Sequence, residues 1–143
     1  MTNPSPLEKL CGPGKPLRAE PADAREYSGL LQSGMARLGD AENSANSLDG
    51  RFDLAYNAAH ALSLAALRRL GYRPESRYIV FQVLPHTLGL GPEVWRVLAK
   101  CHELRNQGEY EGLLDIDERL VRDLIAPFRQ ACRKLAGKLD ALS

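Results

Sequence analysis

The sequence predicts an all-α protein: an antiparallel bundle of four long helices plus one short helix, preceded by an irregular N-terminal arm. Three observations carry that prediction. Apolar residues recur at three- and four-residue steps through four separate stretches, which is the spacing of one buried helix face. Capping and stop residues bound these stretches, among them Ser47, Asp49, Gly71 and Pro92. The one strand-like segment, Ser76 to Leu88, has no second strand beside which to satisfy its backbone, so a short helix is the better reading. The predicted organisation is an arm over residues 1–21 and a bundle over 22–143.

Residues 1–23 contain five of the nine prolines, which favours extended chain with one turn at Leu7 to Leu10 and another at Gly12-Pro13-Gly14. Gly14-Lys15 lacks the other residues of a phosphate loop and reads as arm. The first long helix is predicted from about Ala22 to Asp40, with Tyr27, Leu30, Leu31, Gly34 and Leu38 on its buried stripe. Gly29 and Gly34 cost helix propensity and mark candidate points of close helix contact. The second runs from Ser47 or Asp49 to Leu70, with Gly71 and Pro74 as its stop. Its stripe is Phe52, Ala55, Tyr56, Ala59, Leu62, Ala66 and Leu70, and its many alanines suit the central helix of a bundle. The short helix over Ser76 to Leu88 is predicted to break near Pro85.

The next helix opens with Pro92 at its first position and continues to about Tyr110. Val94, Val97, Leu98, Cys101, Leu104 and Gly108 make its burial face, while His102, Arg105, Asn106 and Glu109 lie on an adjoining face. Asp115 and Glu118 form a capping-box pattern for the last helix, which reaches about Ala141 and carries Pro127 in its middle.

Composition narrows the function. A net charge of +1 leaves no global field to gather nucleic acid. Three cysteines without metal spacing, two of them on apolar helix faces, favour a reducing cytoplasm. The prolines near the N-terminus stand where a signal peptide would have its apolar run. The longest apolar tract, Leu54 to Leu67, is too short for a bilayer and contains Asn57 and His60, so no membrane association is expected. No metal site, catalytic nucleophile arrangement or cofactor is predicted from the three scattered histidines. His60 reads as a core or groove histidine. The pairs Lys15 with Arg18 and Arg68 with Arg69 read as solvated surface.

An alanine-rich helix, AYNAAHALSLAALRRLGYRP, followed by a short helix and then a helix carrying Glu-Leu-Arg-Asn with Glu-Tyr four residues beyond the Arg, resembles the HEPN superfamily (higher eukaryotes and prokaryotes nucleotide-binding domain). The resemblance covers roughly residues 22–140 and is most specific at Ala55–Leu67 and Leu104–Gly112. It implies a helical, commonly homodimeric domain, often encoded beside a nucleotidyltransferase in toxin–antitoxin or defence loci. Its ribonuclease members carry an Arg, a polar residue and then a His, brought by both protomers to a shared cleft. Arg105 and Asn106 match the first two positions, and Tyr110 stands where the His belongs. An ordinary tyrosine titrates near about 10, which makes it a poor general base at neutral pH.

The resemblance therefore implies a non-catalytic binding module. Its partner would be a nucleotidyltransferase-type protein, a nucleotide or RNA, with Arg105, Asn106, Tyr110, Glu109 and His102 as ligand-binding residues. The alternative is a metal-independent ribonuclease that uses Arg105 and Asn106, with Tyr110 or His102 in place of the missing His. Arg105 is the residue on which these readings turn. An arginine at the edge of a burial stripe needs an anion, a carboxylate or a carbonyl, so it either meets a ligand or pairs with Glu109.

Overall fold

The computed structural model describes residues 5–111 and 116–138, without the side chains of residues 108–111. In chain order the elements are α1 (Pro6–Lys9), β1 (Leu17–Ala19), α2 (Ala24–Glu42), α3 (Leu48–Arg69), β2 (Tyr72–Pro74), α4 (Ile79–Gln82), α5 (Leu84–Thr87), α6 (Pro92–Glu111) and α7 (Glu118–Ala136). The fold is mainly α, and α2, α3, α6 and α7 are the four long helices of a bundle.

The caps explain where the helices start. Asp23 accepts the backbone N–H groups of Arg25 and Glu26 at the head of α2, and Ser47 accepts that of Gly50 at the head of α3. Helix α3 closes at Leu70, and Gly71 follows with a φ of 92°, the left-handed conformation that favours glycine. Helix α7 begins at Glu118 with Asp117 as its cap, accepting from the Leu120 N–H at 2.8 Å. The predicted capping role of Asp115 lies outside the described residues, and the helix ends at Ala136 with Gly137 as its C-cap, short of the predicted Ala141.

Helix α3 is central, packing against α2, α7, α4, α5 and β2. Phe52, Ala55, Ala58, Ala59, Leu62, Ala65 and Ala66 are buried along it, whereas Leu70, expected on that stripe, is exposed. The alanines permit close approach, and Gly34 of α2 supplies the other half. A Cβ built there would sit 2.6 Å from the Leu62 side chain, so the leucine of α3 packs directly on the Gly34 backbone. Gly29 faces open space and marks no such contact.

Three features depart from the sequence reading. First, Ser76 to Leu88 holds two short helices, with the break at Val83 rather than at Pro85. Pro85 lies in the first turn of α5, where a missing N–H costs nothing. The β-branched run is helical because Ile79, Val80 and Phe81 all reach the core, and burial outweighs propensity.

Second, the N-terminal segment is not simply extended. Strand β1 pairs antiparallel with β2, in the register Leu17↔Pro74, Arg18↔Arg73 and Ala19↔Tyr72. Leu7 and Leu17 are buried with the bundle core. Third, Arg68 is not solvated surface. It is 2% exposed, and its guanidinium donates to Glu26 Oε1 at 2.6 Å, the Glu20 carbonyl at 2.9 Å, the Pro21 carbonyl at 2.7 Å and the Tyr72 carbonyl at 3.2 Å. Arg68 Nη2 also lies 3.3 Å from the Glu20 carboxylate, and Arg73 pairs with the same two carboxylates, Glu20 and Glu26. One buried arginine thus joins the N-terminal segment, α2, α3 and β2.

Candidate functional site

The residues singled out on α6 face a matching polar row on α3. At three- and four-residue steps α3 presents Asp53, Tyr56, Asn57 and His60. Helix α6 packs on α4 and α7 and reaches α3 through the long side chains of His102 and Arg105, while its Trp95 meets Tyr78, just before α4. The connection from β2 to α4 brings in Arg77 and Tyr78.

His102 is the hub. Its Nδ1 shares a hydrogen bond of 3.1 Å with the Tyr56 hydroxyl, and its Nε2 lies 3.4 Å from the Asn106 amide nitrogen. Amide nitrogen only donates, so Nε2 accepts and Nδ1 is left to donate to Tyr56. The imidazole stacks on the Tyr78 ring at 4.2 Å between centroids, and Tyr78 in turn meets Trp95 and Phe81. The aromatic surface is continuous from Trp95 to Tyr56.

Arg105 lies over that surface. Its Cζ is 5.0 Å from the Tyr56 ring centroid, a cation–π distance. Nη1 is 3.4 Å from Asn57 Oδ1 and 3.5 Å from Asp53 Oδ1, both longer than a usual N–H···O bond. The side chain is 30% exposed and that of Asp53 59%. Arg77 donates to the same Asn57 Oδ1 at 3.3 Å.

The proton chemistry is set by burial. Burial pushes the Tyr56 phenol up to about 12, and the Arg105 charge opposes this without cancelling it. Burial also takes His60 down to about 4, with the charges of Arg77 and Arg105 acting in the same direction. His60 is neutral at neutral pH, and its Nε2 is enclosed with no hydrogen-bond partner among the described residues. Neither group is tuned to move a proton near pH 7. Among the described residues no three His, Cys, Asp or Glu side chains gather as a metal site. No described helix is long and apolar enough to cross a membrane.

Of the predicted ligand-binding residues, His102, Arg105 and Asn106 share this face. The side chains of Glu109 and Tyr110 lie outside the described residues, and with them the predicted pairing of Arg105 with Glu109. Sequence reasoning missed Asp53, Asn57, Arg77 and Tyr78, and placed Tyr56 only in the core. A signal was present: Asp53, Asn57 and His60 form a polar row on an alanine-rich helix, where apolar residues alone would have served packing. No family model, curated protein or solved structure matches this chain.

Proposed function

We propose that the α3–α6 face is a phosphate-recognising surface, and that the protein is a non-catalytic, HEPN-like binding module. In this reading the chain is a cytoplasmic homodimer in a toxin–antitoxin or defence setting. Its face takes a nucleotide, RNA or a nucleotidyltransferase-type partner. The observation that carries the reading is the setting of Arg105, whose guanidinium lies over an aromatic ring between a neutral amide and an exposed carboxylate, at long distances. Guanidinium forks match phosphate oxygens, and an aromatic surface beside them suits a base. The high Tyr56 and low His60 values support binding over proton transfer.

A ribonuclease reading has one specific observation in its favour: His102 is an imidazole one helical turn from Asn106 and in contact with it. Two measurements separate the readings. Thermal shift with ATP and with short RNA oligomers is expected to raise the melting temperature of the wild type and not of Arg105→Ala. RNA incubated with the wild type is expected to stay intact. Cutting that disappears in both Arg105→Ala and His102→Ala would replace the binding reading with the enzyme, and no shift with any ligand would remove it.

A further inference from the structure

Arg77 and Arg105 come from different parts of the chain and converge on one atom. Arg77 Nη2 donates to Asn57 Oδ1 at 3.3 Å and Arg105 Nη1 to the same oxygen at 3.4 Å. Two like charges meeting at a neutral oxygen is an unfavourable arrangement unless something compensates it. Elsewhere in this protein the enclosed arginines meet carboxylates at short range, Arg51 with Glu118 at 2.8 Å and Arg68 with Glu26 at 2.6 Å. Among the described residues the compensation here is one exposed carboxylate, Asp53, and it approaches Arg105 only. Among the described residues Arg77 has no ion pair.

We propose that Arg77 and Arg105 clamp the terminal phosphoryl group of a phosphomonoester, with Asn57 holding both side chains in place until that group replaces its amide oxygen. The inference rests on the phosphate-recognition reading above and deepens it. Geometry selects the monoester. A guanidinium fork engages an edge of two oxygens, and a phosphodiester has only one such edge free of ester bonds. A terminal phosphoryl group has three non-ester oxygens, hence an edge for each of two forks, and carries charge approaching −2 at neutral pH. The Asn57 oxygen stands where the two forks already meet. Below it, His60 registers both cations, since each helps to depress its protonation. Arg77 is exposed in the connection between β2 and α4 and can follow a ligand without disturbing the core.

The ligand chemistry has two sources, a nucleoside monophosphate and the 5′ end of an RNA, and the test separates them. A short oligoribonucleotide labelled at its 3′ end is titrated as the 5′-phosphate and as the 5′-hydroxyl, at one fixed ionic strength. AMP and adenosine then compete for the phosphorylated form. The wild type is expected to bind the 5′-phosphate oligomer about tenfold or more tightly than the 5′-hydroxyl oligomer, from one added charge-assisted fork.

Arg77→Ala is expected to erase that preference, weakening the 5′-phosphate oligomer about tenfold more than the 5′-hydroxyl oligomer. Arg77→Lys is expected to restore only part of it, because an ammonium lacks the fork. Competition by AMP and not by adenosine identifies the phosphoryl group alone as sufficient. Failure of AMP with the preference intact assigns the site to RNA ends. Equal wild-type affinity for the two oligomers, or a preference untouched in Arg77→Ala, overturns the clamp. If Arg105→Ala still weakens both oligomers, the phosphate-recognition reading survives that result. Absence of binding by either oligomer and by AMP overturns both.

Discussion

Along α3, the seam with α2 and the seam with α6 each carry an arginine, and the two are treated in opposite ways. On the α2 side helix meets helix at Gly34 and Leu62, and Arg68 is sealed among two carboxylates and three carbonyls. On the α6 side the space between helices is filled by long polar and aromatic side chains, and Arg105 reaches its neighbours at 3.4 and 3.5 Å. A guanidinium whose donors are saturated inside the fold serves the fold. One that retains exposure beside neutral and aromatic groups still has capacity for an incoming anion. Mutation can tell the two arginines apart: the first should matter for stability and the second for binding.

The largest expected effect is at Arg68. Arg68→Ala removes a guanidinium that is 2% exposed, leaves three carbonyls without the donor that serves them, and leaves Glu26 with Arg73 alone. Hydrogen bonds to a charged group are worth about 1.5–3 kcal/mol each, so a loss of about 3 kcal/mol is expected, and urea unfolding should show it as a lowered midpoint at unchanged slope. A loss below about 1 kcal/mol would mean the network is decoration and would erase the contrast between the seams.

The middle effect concerns pH. His60 lies under the α6 seam with a value near 4, against an unfolded value near 6.5. Below pH 6.5 the unfolded chain binds a proton that the folded chain refuses. Stability from this group is therefore fully present above about 6.5 and is lost as pH falls toward 4. Discounted for the partial exposure of the ring, the loss is about 1–2 kcal/mol between pH 7 and 4.5. Glu26 adds to the acid side at lower pH. Burial would raise its carboxyl, but its bonds to Arg73 and Arg68 outweigh that and hold it below the ordinary value, so its contribution fades as pH drops past 4.5. Denaturant midpoints at pH 7 and 4.5 should converge more closely in His60→Gln than in the wild type, and identical pH dependence would place the acid sensitivity elsewhere.

The two seams also differ in how much of them could be read from sequence. Helix periodicity, the cap at Ser47 and the proline at position 92 are local signals, and the long helices fall close to where those signals put them. Gly29 and Gly34 carried the same propensity signal, and only tertiary packing separates them, since a Cβ at Gly34 would strike Leu62 and one at Gly29 meets open space. The pairing of β1 with β2 was not legible, since three-residue strands more than fifty positions apart carry no alternating pattern. Arg68 misled for the same reason: its carbonyl partners at Glu20, Pro21 and Tyr72 exist only after the strands have paired. At the candidate site, helical spacing placed His102, Arg105 and Asn106 together. The partners from α3 and from the Arg77–Tyr78 segment depend on tertiary approach, which spacing does not encode.

The smallest expected stability effect completes the comparison. Arg105→Ala removes a cation–π contact and a long ion pair to an exposed carboxylate, each worth at most about 1 kcal/mol at such a site. It also relieves the repulsion with Arg77 across Asn57, which offsets part of that loss. The net change in unfolding free energy should stay within about 1 kcal/mol of zero, with a melting temperature close to that of the wild type. If Arg105→Ala were instead as damaging as Arg68→Ala, the guanidinium would be a structural tie between α3 and α6, and its long contacts would have to tighten in solution. A nearly neutral result, set beside loss of ligand response in the same variant, is the combination that a fold-supporting arginine cannot produce.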